Sequence, residues 1–335
     1  MPEQRRRPTL RDIAEATGLS SATVSYALRG LHVPEETQAR VRQAAEQLGY
    51  QVNPIARALA SGRSGYVGVL CRSLEDFWLQ DVTAAIGRAF IAEDRLALLV
   101  DASNDPAREA MLAQHLVDQR VDALICLPVD PLGTFWKDIA RQTVLISLGD
   151  EMPAAPTAAA VVFDNAGGVT DALGRLAEAG HRRVAVLTPT GLSTPDRPAE
   201  SVAHTAARTL KLQVDVHPAP HDLDGATAVA KTLLQDATPP TAFLCLADVM
   251  AYGVYAAARE LKLSVPEDLS VIGFDDHQLS QLLTPPLTSY RWPFDDIVAE
   301  VTSRTIKAIE SGKRSRKKVF QPQIQDRGSI AGPPR

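Results

Sequence analysis

Two hydrophobic periodicities divide this chain. Between Thr9 and Leu48 apolar residues recur at intervals of three and four with short polar breaks, a spacing that predicts three amphipathic helices. The first is expected to begin at Thr9 as N-cap, with Asp12 in its first turn and Leu10, Ile13 and Ala14 on one face, and Gly18 ends it. Ser20 can cap a second helix, turning Val24 and Leu28 inward and Ser21, Ala22, Ser25, Tyr26 and Arg29 outward. A third, from Pro34 to Leu48, lines up Val41, Ala44, Ala45 and Leu48 and closes a small core. After the flexible joint Ser61–Gly65 the pattern changes. Strand-like apolar runs at Tyr66–Leu70, Leu96–Asp101, Val121–Leu127, Val144–Leu148, Ala159–Phe163, Arg183–Leu187, Val214–His217, Ala242–Leu246 and Val271–Phe274 alternate with helical stretches such as Val82–Phe90, Arg108–Asp118, Gly168–Ala179, Ala226–Gln235 and Met250–Leu261. Such alternation predicts parallel sheets covered on both faces, and the strands are too many for one sheet.

Charge adds to this division. The net charge is −5, but residues 1–65 hold nine arginines against six acids, leaving −8 for the rest. A basic head on an acidic body suits a protein that meets DNA at one end. Cys71, Cys126 and Cys245 sit inside apolar runs without metal-ligand or CxxC spacing, and read as small buried hydrophobes in a reducing compartment. Arg5–Arg7 carry no apolar stretch behind them, so the start is not a secretory signal, and no run is long enough to span a bilayer. A cytoplasmic, nucleoid-associated protein without a membrane partner is expected. Neither a P-loop, a GxGxxG, a nucleophile elbow nor a metal-spaced histidine set occurs, so neither an enzyme nor a cofactor is expected.

The small residues opening the second helix allow it to sink into a major groove, with its positive end toward phosphate. Thr9-Leu-Arg-Asp-Ile-Ala, then Gly18-Leu-Ser-Ser-Ala-Thr-Val-Ser25, then Gly49-Tyr50-Gln-Val-Asn53-Pro54-Ile-Ala-Arg57-Ala-Leu59-Ala60, in that order and spacing, resemble the head and hinge of the LacI/GalR repressor family. The resemblance implies an α/β protein: a small all-α helix-turn-helix head plus a two-lobed periplasmic-binding-protein-like body with parallel sheets. The expected domains are a DNA-binding head at 1–52, a hinge helix and linker at 53–65, and an effector-binding and dimerisation body at 66–335. Crossings placed near Val161, Ser289 and Val319 give a first lobe of about 66–160 and 290–318 and a second of 161–289 and 319–335.

On this resemblance Ser21, Ala22 and Tyr26 read bases, while Ser20, Thr23, Ser25 and Arg29 face phosphates. Relatives commonly carry Arg at the position of Tyr26, so either the preference at one base pair is altered or Tyr26 packs on the DNA backbone. Asn53 can cap a short hinge helix in which Ala56 packs closely and Leu59 wedges into the minor groove; alone, so short a helix is marginal. In the body, Asp275 of Gly273-Phe-Asp-Asp276 matches the family residue that accepts from ligand hydroxyls. Asp248 matches an Asp usually preceded by Asn, where this chain has Ala247. Phe77 and Trp78 suit either stacking on an apolar sugar face or core packing. Arg197 stands where relatives grip the effector, though Pro198 and Glu200 depart from their pattern, and His221 and Asp222 lie at the next loop. Lys313–Lys318 reads as a solvated connector between the helix Ile297–Ile309 and the short strand Val319–Gln321.

The implied function is a sequence-specific, homodimeric repressor of a carbohydrate operon, bound to a pseudo-palindromic operator in double-stranded DNA and controlled by a sugar-like effector between the lobes. Alternatives are a non-catalytic sugar-binding module and a purine- or nucleoside-responsive co-repressed regulator. Dimer contacts are expected from the helices Val82–Phe90 and Met250–Leu261.

Overall fold

The computed structural model describes residues 8–28, 30–50, 62–189 and 197–334, of which 197–199 by backbone alone. Arg5–Arg7, Arg29 and the hinge residues Asn53, Ala56 and Leu59 lie outside them. Two compact units form, Met1–Ser64 and Gly65–Arg335.

In the first unit, α1 (Leu10–Thr17), α2 (Ser21–Leu28) and α3 (Glu35–Leu48) enclose Ile13, Ala14, Val24, Ala27, Val41 and Ala45. Local chemistry sets the ends. The Thr9 backbone N–H and hydroxyl both donate to the Asp12 carboxylate, at 2.6 and 2.8 Å, and Gly18 closes α1 in the left-handed region at φ 67°. Ser20 Oγ accepts from the Thr23 N–H at 3.1 Å. Three details differ from expectation. Ala27, three residues from Val24, takes the buried place expected for Leu28, which is only half-buried because one further helical step carries it to the core's edge. Leu48 lies beyond the last buried turn and is exposed. Pro34, with ψ 147°, caps α3 from outside instead of opening it.

The second unit contains twelve described strands: β1 (Tyr66–Cys71), β2 (Leu96–Asp101), β3 (Ala123–Leu127), β4 (Val144–Gly149), β5 (Ala159–Phe163), β6 (Arg183–Pro189), β7 (Gln213–Ala219), β8 (Ala242–Cys245), β9 (Ser270–Phe274), β10 (Thr288–Arg291), β11 (Lys318–Phe320) and β12 (Gln323–Gln325). They make two six-stranded sheets, β11-β5-β4-β3-β1-β2 and β12-β10-β9-β8-β6-β7, parallel except where β12 runs against β10. Period-two burial explains the layers. Val67, Val69, Ala123 and Ile125 face one core, while Leu70, Leu124 and Cys126 face another beneath the helices Pro106–Asp118 and Trp136–Gln142. In the second sheet Val184, Val186, Leu244 and Ile272 face the first of these cores, and Ala185, Leu187, Phe243 and Cys245 a third beneath Leu223–Leu234 and Asp248–Glu260. One apolar cluster thus runs through both lobes.

The chain leaves the first sheet after Phe163, returns after Arg291 and crosses again between Phe320 and Gln323. Each crossing falls beyond the expected Val161, Ser289 and Val319, because those residues are ladder members: Val161 pairs with Leu148, Ser289 with Gly273, Val319 with Val162. β10 and β12 carry mostly polar residues, and the helix Arg197–Leu210 builds its inner face largely from alanines, so the hydrophobic pattern signals none of them. All three cysteines are buried, and burial raises their thiols; Cys71 reaches about 11.

Candidate functional site

In the head, α2 presents Ser20, Ser21, Ala22 and Tyr26 to solvent, with Thr23 and Ser25 half-buried. The Ser20 and Thr23 hydroxyls lie 2.8 Å apart, and Tyr26 sets its ring edge-on to His32 at 6.0 Å. No acidic side chain lies on Ser21–Leu28, so its N-terminal end meets a polyanion without repulsion from its own residues.

In the body, the loops after strands of both sheets converge on a cavity of about 720 Å³, counted out to its open mouth. Carboxyl ends of parallel strands build such sites, since turns into helices gather there. The first lobe contributes Arg72, Asp76, Trp78, Pro128, Asp150 and Phe163, and the second Asn165, His221, Ala247, Phe274, Asp275 and Trp292. Aromatic rings form an apolar wall: Phe163 stacks on Trp292 at 4.8 Å, and Trp78 meets Phe163 edge-on at 5.2 Å. Opposed to it are charged groups. Arg72 lies 3.6 Å from Asp76, which lies 3.6 Å from His221 Nε2 across the cleft. Burial lowers the His221 pKa, an effect the facing Asp76 opposes, and Nε2 is buried without a hydrogen-bond partner. Burial, then the carboxylates of Asp76 and Asp248, hold Asp275 well above the ordinary carboxylate range.

A family model for bacterial regulatory proteins of the lacI family matches residues 9–53, and one for a periplasmic binding protein-like domain matches residues 173–330. The HTH-type transcriptional repressor PurR of Pectobacterium atrosepticum is 30% identical over 342 residues, covering 97% of this chain and 98% of the relative. The chain belongs to the lacI family. It is a DNA-binding transcriptional regulator. A lac repressor dimer bound to operator and the anti-inducer ONPF superposes at TM-score 0.86 and 24% identity, over 97% of this chain and 100% of that one. A CelR–cellobiose complex does so at TM-score 0.71 and 23% identity, over 96% and 100%. At these identities the two structures speak to the fold.

Of the ligand residues expected in this lacI-family regulator, Trp78, His221 and Asp275 line the cavity. Phe77 does not; it sits at the rim, 40% exposed, stacked on His277 at 4.9 Å. The Arg197 side chain lies outside the described residues. Asp222 caps the helix Leu223–Leu234, accepting from the Gly225 N–H at 2.7 Å. Asp248 does not line the cavity. Its carboxylate is buried beneath the cavity and accepts from the His277 N–H at 2.8 Å, from Ser289 Oγ at 2.6 Å and from Ser280 Oγ. It therefore positions the turn that carries Asp275. Gly273 is required beside it, since an added Cβ would meet Asp248 Oδ1 at 2.2 Å. Asp276 is likewise structural, clamped by Arg291 and Arg327, each at 2.5 Å.

Sequence reasoning missed Arg72, Asp76, Asp150, Phe163, Asn165 and Trp292. Arg72 and Asp76 share the loop after β1 with Phe77 and Trp78, a signal that was present. Trp292 follows β10, whose polar sequence hid the strand. Behind the wall, Glu109 is fully buried and accepts from the Val129 and Asp130 N–H groups at 2.6 and 3.0 Å, fixing the turn after Pro128.

Proposed function

We propose that this regulator is a dimeric repressor of a carbohydrate-utilisation operon, released from or recruited to its operator by a sugar-like effector between the lobes. The cavity carries the reading. Its aromatic wall suits the apolar face of a sugar ring, and opposed carboxylates suit adjacent hydroxyls. The cellobiose bound by the similar CelR supports the same class. In this reading the protein works in the cytoplasm, Asp76 and Asp275 bind hydroxyls without turning over the ligand, and Ser21, Ala22, Tyr26 and Leu59 contact operator DNA. The head is 1–52 and the hinge 53–65. A second copy would cover the exposed Ile91, Leu96 and Leu99 of the first lobe and Leu279 and Leu282 of the second. The helix Asp248–Glu260 contributes less to that face than its sequence suggests, because most of its residues are buried in its own lobe.

The purine-repressor relatives favour a second reading, a nucleobase co-repressor in the same cavity. Fluorescence anisotropy of a labelled operator duplex, titrated with regulator in the presence of neutral sugars or of purines, decides between them. A sugar that shifts operator affinity at least about tenfold, roughly 1.4 kcal/mol of coupling, supports the proposal. A shift produced by purines alone replaces it with the second reading.

A further inference from the structure

Several helices begin beside the cleft, and helix N-termini are where proteins ordinarily hold anions. In three of them the chain closes that end with its own carboxylate. Asp76 Oδ1 accepts from the Leu79 N–H at 3.0 Å, Asp164 Oδ1 from Gly167 at 2.9 Å, and Asp222 Oδ1 from Gly225 at 2.7 Å. The helix Asp248–Glu260 differs: its N-cap Ala247 lines the cavity without a side-chain cap, and Asp248 in its first turn is occupied by His277, Ser280 and Ser289. Besides Asp76, two further carboxyl groups line the same space, Asp150 and Asp275. Among the described residues one permanent cation, Arg72, lines the cavity, and it lies against Asp76.

From this arrangement we infer that the effector is an uncharged polyol, and that the cavity discriminates against the phosphate ester or carboxylate of the same sugar. The inference rests on the sugar reading proposed above and adds a charge rule to it. A phosphate entering the cleft loses its hydration and finds the helix ends behind Asp76, Asp164 and Asp222 already closed by the chain's own carboxylates. Its charge then faces the carboxylates of Asp76 and Asp150 across a medium that screens poorly, and like charges so placed repel. A neutral sugar offers hydroxyl donors to those acceptors and a flat C–H face to Phe163 and Trp292. The unpartnered His221 Nε2, held neutral by burial, accepts from or donates to a hydroxyl according to its tautomer.

Trp78 and Trp292 both line the cavity, so the full-length protein reports its own occupancy. The test is a tryptophan-fluorescence titration with glucose, galactose, ribose, maltose and cellobiose, alongside the phosphate ester and the uronic acid of the monosaccharides. The inference expects saturation by at least one neutral sugar, with its phosphate binding at least about a hundredfold more weakly, a ratio that shrinks as salt is raised. In Asp76→Asn, which keeps the capping oxygen but removes the charge, that ratio should fall about tenfold. A phosphate or uronate binding as tightly as its neutral parent overturns the charge rule while leaving the sugar reading intact. Saturation by none of these ligands overturns the sugar reading, and the charge rule with it.

Discussion

Tyr26 is the side chain through which we propose that base preference is tuned without altering the fold. It stands 42% exposed on α2, anchored edge-on to His32, and nothing in the head's core depends on it. A tyrosine hydroxyl can donate one hydrogen bond to a base where a guanidinium donates two to guanine. Tyr26→Arg should leave the melting temperature unchanged and move the selected half-site toward guanine at one base pair, with a discrimination of about 1–3 kcal/mol. An unchanged preference would assign Tyr26 to backbone packing. Glu109 is the opposite case, a residue whose chemistry is all internal. Burial pushes its carboxyl from 4.5 up to about 7, against the lowering effect of two backbone donors. Between those values the folded chain holds a proton that the unfolded chain has lost. The group's contribution is therefore full below about 4.5 and disappears as pH rises to about 7. Melting temperature measured from pH 4.5 to 7 should fall less in Glu109→Gln than in the wild type, by the equivalent of up to roughly 3 kcal/mol. Parallel curves would contradict that assignment.

At the scale of elements, the parts with one strong periodicity were legible and the composite parts were not. The head helices and most strands of both sheets follow from apolar spacing, because each packs one face or two against a core. β10, β12 and the alanine-faced helix Arg197–Leu210 did not, since partners distant in sequence decide them. The same limit explains the site. The place of Asp275 in the cavity was legible through the Gly-Phe-Asp-Asp motif, whereas the engagement of Asp248 was not, because only the fold reveals that His277, Ser280 and Ser289 consume its carboxylate. The segment after β12 is a further element that sequence alone undervalues: Arg327 clamps Asp276, Ser329 Oγ accepts from the Thr288 N–H at 2.8 Å and donates to the Val271 carbonyl at 2.6 Å, and the Ala331 carbonyl meets His181. Deleting 327–335 should lower the melting temperature by more than 5 °C, on the order of several lost buried hydrogen bonds, as read by circular dichroism. The hinge lies outside the described residues, yet its sequence carries a separate prediction. Leu59→Ala should weaken specific operator binding at least about tenfold and spare low-salt nonspecific binding; equal losses in both would remove the wedge role.

On the scale of the whole molecule, the lobes share one apolar cluster beneath the cleft, and in the proposed mechanism filling the cleft acts on how the lobes close without unfolding either. Coupling to DNA requires the ligand to bind the two states of the body unequally. Asp275→Ala should accordingly abolish the effector's influence on operator affinity while the ligand-free protein binds the operator as the wild type does. Loss of DNA binding in that variant would instead mark Asp275 as a folding residue. The regulation proposed through the cleft presupposes that the head reads sequence as a pair. The most direct measurement is selection of bound duplexes from a random pool by the full-length protein, without and with neutral sugars. This account predicts enrichment of a pseudo-palindrome with two like half-sites and a flexible pyrimidine–purine step at its centre. Retention of DNA only at low salt, with no sequence enriched under either condition, would contradict it.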